Sequence, residues 1–184
     1  MNILVILGSQ KINGKTLEIE KIIKQNKNHN IDIIKMSEIK IEGCIACEKC
    51  GSNGKCILPV SKNDMFEYIF SKMKISDIIL IITPIYSPYP SRLVALMERL
   101  LSISFFGYII GKHERPLKNK KVGIICYGNN KIEDEKQLKL LFQKYLMDNY
   151  SFTEINYEYI NNEINPNAKY KNVYEYVEDI LNKI

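Results

Sequence analysis

The sequence predicts an α/β protein built on a doubly wound parallel sheet with helices on both faces. Three observations carry that prediction. Apolar runs alternate with amphipathic stretches along the whole chain, as expected when each strand is followed by a helix that covers it. The run Ile-Ile-Leu-Ile-Ile at 78–82 lacks polar alternation, which marks a central strand buried on both faces. Three segments that follow predicted strands gather glycine, proline and short polar side chains, the residues of loops at a binding edge.

Each element has its own signal. Residues 2–7 read as a buried first strand, followed by a loop at 8–14 and a helix at 15–27. Residues 31–36 form a short second strand, and 37–63 a long irregular segment. Asp64 caps a helix reaching about 74, with Met65, Ile69 and Met73 on one face. The third strand spans 77–83. Pro90 suits a first helical turn, and Leu93, Leu96, Met97, Leu100 and Leu101 make the apolar stripe of the next helix. Residues 102–119 read as a second long loop containing Phe105, Phe106 and Tyr108. A fourth strand at 122–127, a helix at 132–149, a fifth strand at 151–160 and a helix at 168–183 complete the chain. The last helix bears Tyr170, Val173, Tyr174, Val177 and Ile180.

The 184 residues suit a single domain, 1–184, large enough for a full core. Its 46% apolar and 26% charged residues are those of an ordinary soluble protein. No apolar run approaches the roughly 20 residues that span a bilayer, and the opening run lacks the basic lead of a signal peptide. The expectation is a cytoplasmic protein with no membrane partner. The net charge of +5 is spread along the chain, and its densest cluster, at 118–121, precedes a strand as a solvated edge. No nucleic-acid motif accompanies it. A basic balance suits anionic small molecules such as nucleotide phosphates. His29 and His113 lie outside the three loops and read as surface residues.

Four of the five cysteines, Cys44, Cys47, Cys50 and Cys56, fall within thirteen residues in the pattern C-x2-C-x2-C-x5-C. Two overlapping Cys-x-x-Cys steps turn three sulfurs toward one centre, and Gly51-Ser52-Asn53-Gly54 lets the fourth fold back. Four thiolates around one centre suit an iron–sulfur cluster. A zinc site usually spaces its two knuckles about 15–20 residues apart, so the compact run fits zinc less well. Empty thiols and a redox disulfide are the other readings. Cys126, inside the fourth strand, reads as a small buried hydrophobe.

The first of the three loops is Gly8-Ser9-Gln10-Lys11-Ile12-Asn13-Gly14-Lys15-Thr16. It matches neither G-x-G-x-x-G nor the P-loop pattern. Its hydroxyl and amide side chains at a helix start still make a phosphate cradle. The second, 83–92, is stiffened by three prolines and carries Tyr86 and Tyr89, whose flat faces suit either a planar ring or packing on the scaffold. The third, Tyr127-Gly128-Asn129-Asn130, allows close backbone approach and two amides for a heterocycle edge, although turn chemistry accounts for it equally.

On these residues the chain resembles the iron–sulfur flavoprotein branch of the flavodoxin-like NAD(P)H-dependent FMN reductases. The family's G-S-P-R-x-N-G-x-T loop corresponds to residues 8–16, with Gln10 and Lys11 in place of Pro-Arg. Its cysteine segment leads to an Asp-Met helix start, as at Asp64-Met65. Its P-x-Y loop matches Pro84-Ile85-Tyr86, and its acid–arginine pair matches Glu98-Arg99. The similarity covers about residues 1–130. It implies a five-stranded sheet of order 2-1-3-4-5. It also implies FMN held by Ser9, Lys11, Asn13, Gly14, Lys15 and Thr16, with the ring near Pro84, Ile85, Tyr86, Ser87, Tyr127, Gly128 and Asn129. A [4Fe–4S] cluster on Cys44, Cys47, Cys50 and Cys56 follows from the same resemblance. The implied activity is electron transfer between NAD(P)H or ferredoxin and an acceptor, by an enzyme that works as a homodimer or homotetramer. An FMN-dependent quinone or nitro-compound reductase without a cluster is the alternative. A non-enzymatic electron carrier and a zinc-stabilised binding module are further ones.

Overall fold

In the computed structural model, which describes residues 1–58, 63–85, 89–128, 132–144, 153–160 and 172–184, the apolar opening run forms strand β1 (Asn2–Leu7). It lies between β2 (Asn30–Lys35) and β3 (Ile78–Pro84). The sheet continues through β4 (Lys121–Tyr127) to β5 (Thr153–Ile160). All pairs are parallel, in the order β2-β1-β3-β4-β5. The chain order reverses at β1, so a switch-point crevice opens at the carboxyl ends of β1 and β3. This is a flavodoxin-like α/β fold.

Alternation along the strands divides the core in two. Leu4, Ile6, Ile79, Ile81 and Ile124 face helices α3 (Phe66–Ile75) and α4 (Ser91–Ser102), meeting Phe66, Ile69, Leu93 and Leu96. Val5, Leu7, Leu80 and Ile82 face α1 (Lys15–Gln25) on the other side. They join Ile19 and Ile23 and, from the last helix of the chain (Val173–Lys183), Tyr176 and Val177. Every residue of β3 is buried, as its unbroken apolar run requires. Between these elements lie a single helical turn, α2 (Cys50–Asn53), and helix α5 (Ile132–Phe142), so the last helix is α6. Asn172 caps α6 by accepting from the amides of Tyr174 and Glu175, both at 3.0 Å.

Several boundaries move. Met65 is the residue before α3, and the buried face of that helix is Phe66, Ile69, Phe70 and Met73. Pro90 stands just outside α4 in extended backbone. Tyr170 and residues 145–152 lie outside the described residues.

The expected loop at 102–119 is the largest correction. Helix α4 runs on into a π-helical segment, Ile103–Ile110, closed by the Gly111 amide on the Phe106 carbonyl five residues back at 2.9 Å. Tyr108 is buried in the chain's own core and Phe106 is half-buried, leaving only Phe105 of that aromatic trio exposed. The continuous stretch Ser91–Ile110 is therefore 20 residues long and apolar enough, by length and composition, to cross a membrane. That corrects the expectation that no run approached this length. Its most apolar window is 56% buried inside the fold, as expected of a core helix.

Candidate functional site

Three loops meet at the carboxyl edge of the sheet. The Gly8 amide donates to the Ile82 carbonyl at 2.8 Å, and the Ile85 amide to the Tyr127 carbonyl at 3.0 Å, so backbone bonds join the ends of β1, β3 and β4. A Cβ at Gly8 would lie 2.5 Å from Thr83 Oγ1, so only glycine lets the first loop leave β1 this close to β3. Ser9 and Thr16 are buried, while Lys11, Asn13, Gly14 and Lys15 are exposed around them. Ser9 Oγ accepts from the Lys11 amide at 3.1 Å and curls the loop. Gly14, at φ +82°, precedes α1 and its carbonyl accepts from the Leu17 amide at 3.0 Å, so the Lys15 and Thr16 amides lead the helix. Buried hydroxyls, two exposed lysines and a helix start thus lie along one loop, groups of the kind that can hold an anion.

Ile85 and Tyr127 are each below a tenth exposed, and Lys15 Nζ lies 5.8 Å from the centre of the Tyr127 ring. Tyr127 belongs largely to the core beneath α1 and α6, and Gly128 is half-buried beside it. Tyr89 packs edge-on against Phe142 at 4.6 Å and is buried, so of its two readings the scaffold one holds. Tyr86, Ser87 and Asn129 lie outside the described residues. Gln10 has a role the sequence concealed. With its amide oxygen turned to the donors, it accepts from the backbone amides of Ser91 and Arg92, both at 3.1 Å, and caps α4 from the first loop. Arg92 then donates to the carbonyls of Met36 and Ser37 at 2.6 and 3.0 Å, tying the end of β2 to the same edge.

A second constellation sits at the other end of α4, about 18 Å away by helix rise. Cys44, Cys47, Cys50 and Cys56 are free thiols and line one cavity, walled by Ile57, Arg99, Ser102, Ile103 and Phe106 among others. The segment between Cys44 and Cys50 turns tightly. Ala46 and Glu48 take the left-handed region at φ 49° and 57°, a backbone cost of order 1–3 kcal/mol each that clusters at functional sites. Cys50 opens α2 and is buried, and burial pushes its thiol up. Cys47 is exposed, and the other two are half-buried. Helix α2 docks through glycine: a Cβ at Gly111 would stand 2.3 Å from the Gly51 carbonyl oxygen. His113 joins this contact, its Nε2 lying 3.1 Å from the same oxygen, so it is part of the cysteine region and not a plain surface residue.

Arg99 organises that cavity, and its role was hidden in sequence behind its neighbour Glu98, which is exposed. The Arg99 side chain is fully buried and grips Asp64 through both carboxylate oxygens at 2.7 Å. It also donates to the Leu58 carbonyl at 3.1 Å and to Cys56 Sγ at 3.4 Å, and its guanidinium lies 4.1 Å from the Phe66 ring centre. Burial pushes the Asp64 carboxyl up, but Arg99 and the amides of Glu42 and Phe66 outweigh it and hold the group below the usual carboxylate range. Asp64 thus serves α3, as expected, by accepting from the Phe66 amide at 3.0 Å, and is equally the anchor of Arg99.

Among the described residues no three His, Cys, Asp or Glu side chains stand close enough to hold one metal ion. The four thiols surround a cavity instead, a donor set that suits a larger sulfur-ligated group more than a single ion.

The sequence profile of the NADPH-dependent FMN reductases matches residues 1–149. No curated protein sequence matches the chain. Among solved structures, the chain is similar to an NAD(P)H:quinone oxidoreductase from Methanothermobacter marburgensis, at 11% identity and a TM-score of 0.66 over 100% of this chain and 96% of that one. An NADPH-quinone reductase from P. pentosaceus aligns at 13% identity and a TM-score of 0.60, covering 99% and 95% of the two chains. General stress protein 14 from Treponema denticola, solved in complex with FMN, aligns at 12% identity and a TM-score of 0.58, covering 100% and 95%. At these identities the likeness to solved structures shows the fold alone.

Proposed function

The chain belongs to the NADPH-dependent FMN reductase family and is an oxidoreductase, and on that premise we propose that it is an FMN-dependent NAD(P)H:acceptor reductase of the quinone-reductase kind. The observation that carries the proposal is the buried hydroxyl pair Ser9 and Thr16 at the start of α1, beside the β1/β3 crevice. Bound FMN would supply hydride acceptance and its onward transfer. Ser9, Lys11, Asn13, Gly14 and Thr16 would hold its phosphate by hydrogen bonds and charge, with Lys15 adding a second cation. Pro84, Ile85, Tyr86, Ser87, Tyr127, Gly128 and Asn129 would border the ring and exclude water from one side of it. No general acid or base is assigned, because the flavin would carry the chemistry and the protein would set its position.

The test is direct. Purified protein titrated with FMN should quench flavin fluorescence at a stoichiometry of one per chain, and the loaded protein should oxidise NADPH when a quinone is supplied. Protein that fails to retain FMN overturns the proposal. Tight FMN binding without turnover points to an electron carrier.

A second reading rests on the convergence of Cys44, Cys47, Cys50 and Cys56 on one cavity: a [4Fe–4S] cluster beside the flavin function, with ferredoxin or another one-electron partner in place of a quinone. A cluster would supply single-electron transfer. Iron and acid-labile sulfide in anaerobically purified protein support it, and zinc alone favours a structural site. A homodimer or homotetramer remains part of the proposal. Ile45, Ile57, Phe105, Ile109 and Ile110 leave apolar surface exposed on the cysteine segment and the π-helical one. A monomer in light scattering would remove that element.

A further inference from the structure

We propose that the last turn of α4 supports the four-cysteine cavity, with Ser102 and Arg99 as positioning residues that donate hydrogen bonds to a sulfur-ligated iron cluster. The inference rests on the cluster reading above. Arg99 and Ser102 are three residues apart and so share one helix face. That face touches three of the four sulfurs. Ser102 Oγ lies 3.1 Å from Cys44 Sγ, Arg99 Nη2 donates to Cys56 Sγ at 3.4 Å, and Cys50 Sγ donates to the Ser102 carbonyl at 3.4 Å.

Metal ligation removes the thiol protons. A ligating Cys44 sulfur can then only accept, which fixes Ser102 as the donor, while Arg99 is a donor in any state. The Cys50 contact uses the thiol hydrogen and is surrendered on ligation. Arg99 has one nitrogen to spare. Its Nε has no hydrogen-bond partner among the described residues, although the residue is 1% exposed and lines the cavity. A buried donor of this kind calls for an acceptor, and cluster sulfide is one. Hydrogen bonds to cluster sulfurs favour the more negative, reduced state and so raise the reduction potential. Cys47, the exposed cysteine, makes no hydrogen bond to Arg99 or Ser102 among the described residues.

The experiment is anaerobic reconstitution of the full chain with Fe(II) and sulfide, comparing the parent with S102A, S102T and R99K. Iron, sulfide and zinc contents, a spectroscopic redox titration and flavin retention are read on each. S102A should load iron like the parent but be harder to reduce. Losing one hydrogen bond is worth about tenfold in the reduced-to-oxidised ratio, which is about 59 mV more negative for one electron. S102T should return the potential toward the parent value. R99K should shift it the same way as S102A and release iron faster to a chelator. Equal potentials for parent and S102A overturn the inference while leaving the cluster reading intact. A parent that takes up no iron and sulfide, or only zinc, defeats the cluster reading, and the inference falls with it. Should R99K fold poorly, the two Ser102 variants decide the matter alone.

Discussion

Helix α4 joins two regions built in opposite ways. At its amino end, the loops after β1, β3 and β4 are brought together by the sheet itself, through backbone bonds such as Gly8 to Ile82 and Ile85 to Tyr127. Parallel pairing delivers those loops to one edge whatever side chains they carry. At its carboxyl end, the described part of the cysteine segment is joined to the backbone of the α3 entry by an isolated bridge, Lys40 to Asp64. Side chains hold it: Arg99 on Asp64, Leu58 and Cys56, Ser102 on Cys44, and the glycine contact between Gly51 and Gly111. The first region can lose a ligand-binding side chain and keep its shape. In the second, the side chains near the sulfurs are also those that fix the local fold, so site and stability are coupled.

That comparison is broken most severely at Arg99 and Asp64. Replacing Asp64 by Asn leaves a buried guanidinium uncompensated and should cost about 3–5 kcal/mol in denaturant unfolding. The pH dependence has a definite sign. The folded-state carboxyl is held below its ordinary value, so its contribution is complete above about pH 4 and is lost as pH falls through the lower folded value. D64N should therefore unfold with a shallower acid slope than the parent. An unchanged midpoint and slope would mean that the pair contributes nothing.

The flavin edge should behave differently. S9A with T16A removes two hydrogen bonds to a charged group and should weaken FMN binding by roughly 3 kcal/mol, about a hundredfold. The denaturation midpoint of the flavin-free protein should move little. If the double variant keeps FMN as tightly as the parent, the phosphate does not sit there.

Gly111→Ala comes next. The new methyl group would meet the Gly51 carbonyl at 2.3 Å and push α2 away, at a cost of about 1–3 kcal/mol. Its distinctive readout is alkylation, because Cys50 should become labelled at a rate close to that of exposed Cys47. The smallest effect is expected at Cys126. It is fully buried on the α3/α4 side of β4, so C126A should cost about 1 kcal/mol and leave both flavin and iron contents unchanged. A fall in iron content would make it a ligand.

Much of this was legible because parallel α/β folds write their order into periodicity. The alternation of apolar runs with amphipathic stretches, the unbroken 78–82 run and the glycine-bearing loop at 8–16 located β1, β3 and the start of α1 within a residue or two. The segment after Ser102 gave no helix signal because six of its eight residues, Ile103, Phe105, Phe106, Tyr108, Ile109 and Ile110, are apolar or aromatic, leaving no polar face to mark a period. A π-helix bonds five residues back and shifts its face accordingly. Gln10, Tyr89, His113 and Arg99 were obscure for a different reason. Each owes its role to partners 35 to 81 positions away: Ser91 for Gln10, Phe142 for Tyr89, Gly51 for His113, and Asp64 and Cys56 for Arg99.

By itself the sequence determined the strand and helix order, the compact cysteine run, and the glycine, hydroxyl and lysine residues gathered after β1, since these depend on local propensity and spacing. The tertiary structure alone decided that four cysteines share a cavity, that Arg99 and Ser102 stand beside their sulfurs, and that Tyr89 is spent on packing. Those outcomes depend on which distant surfaces meet when the two cores close. Long-range contact carries no period along the chain, and so no local pattern announces it.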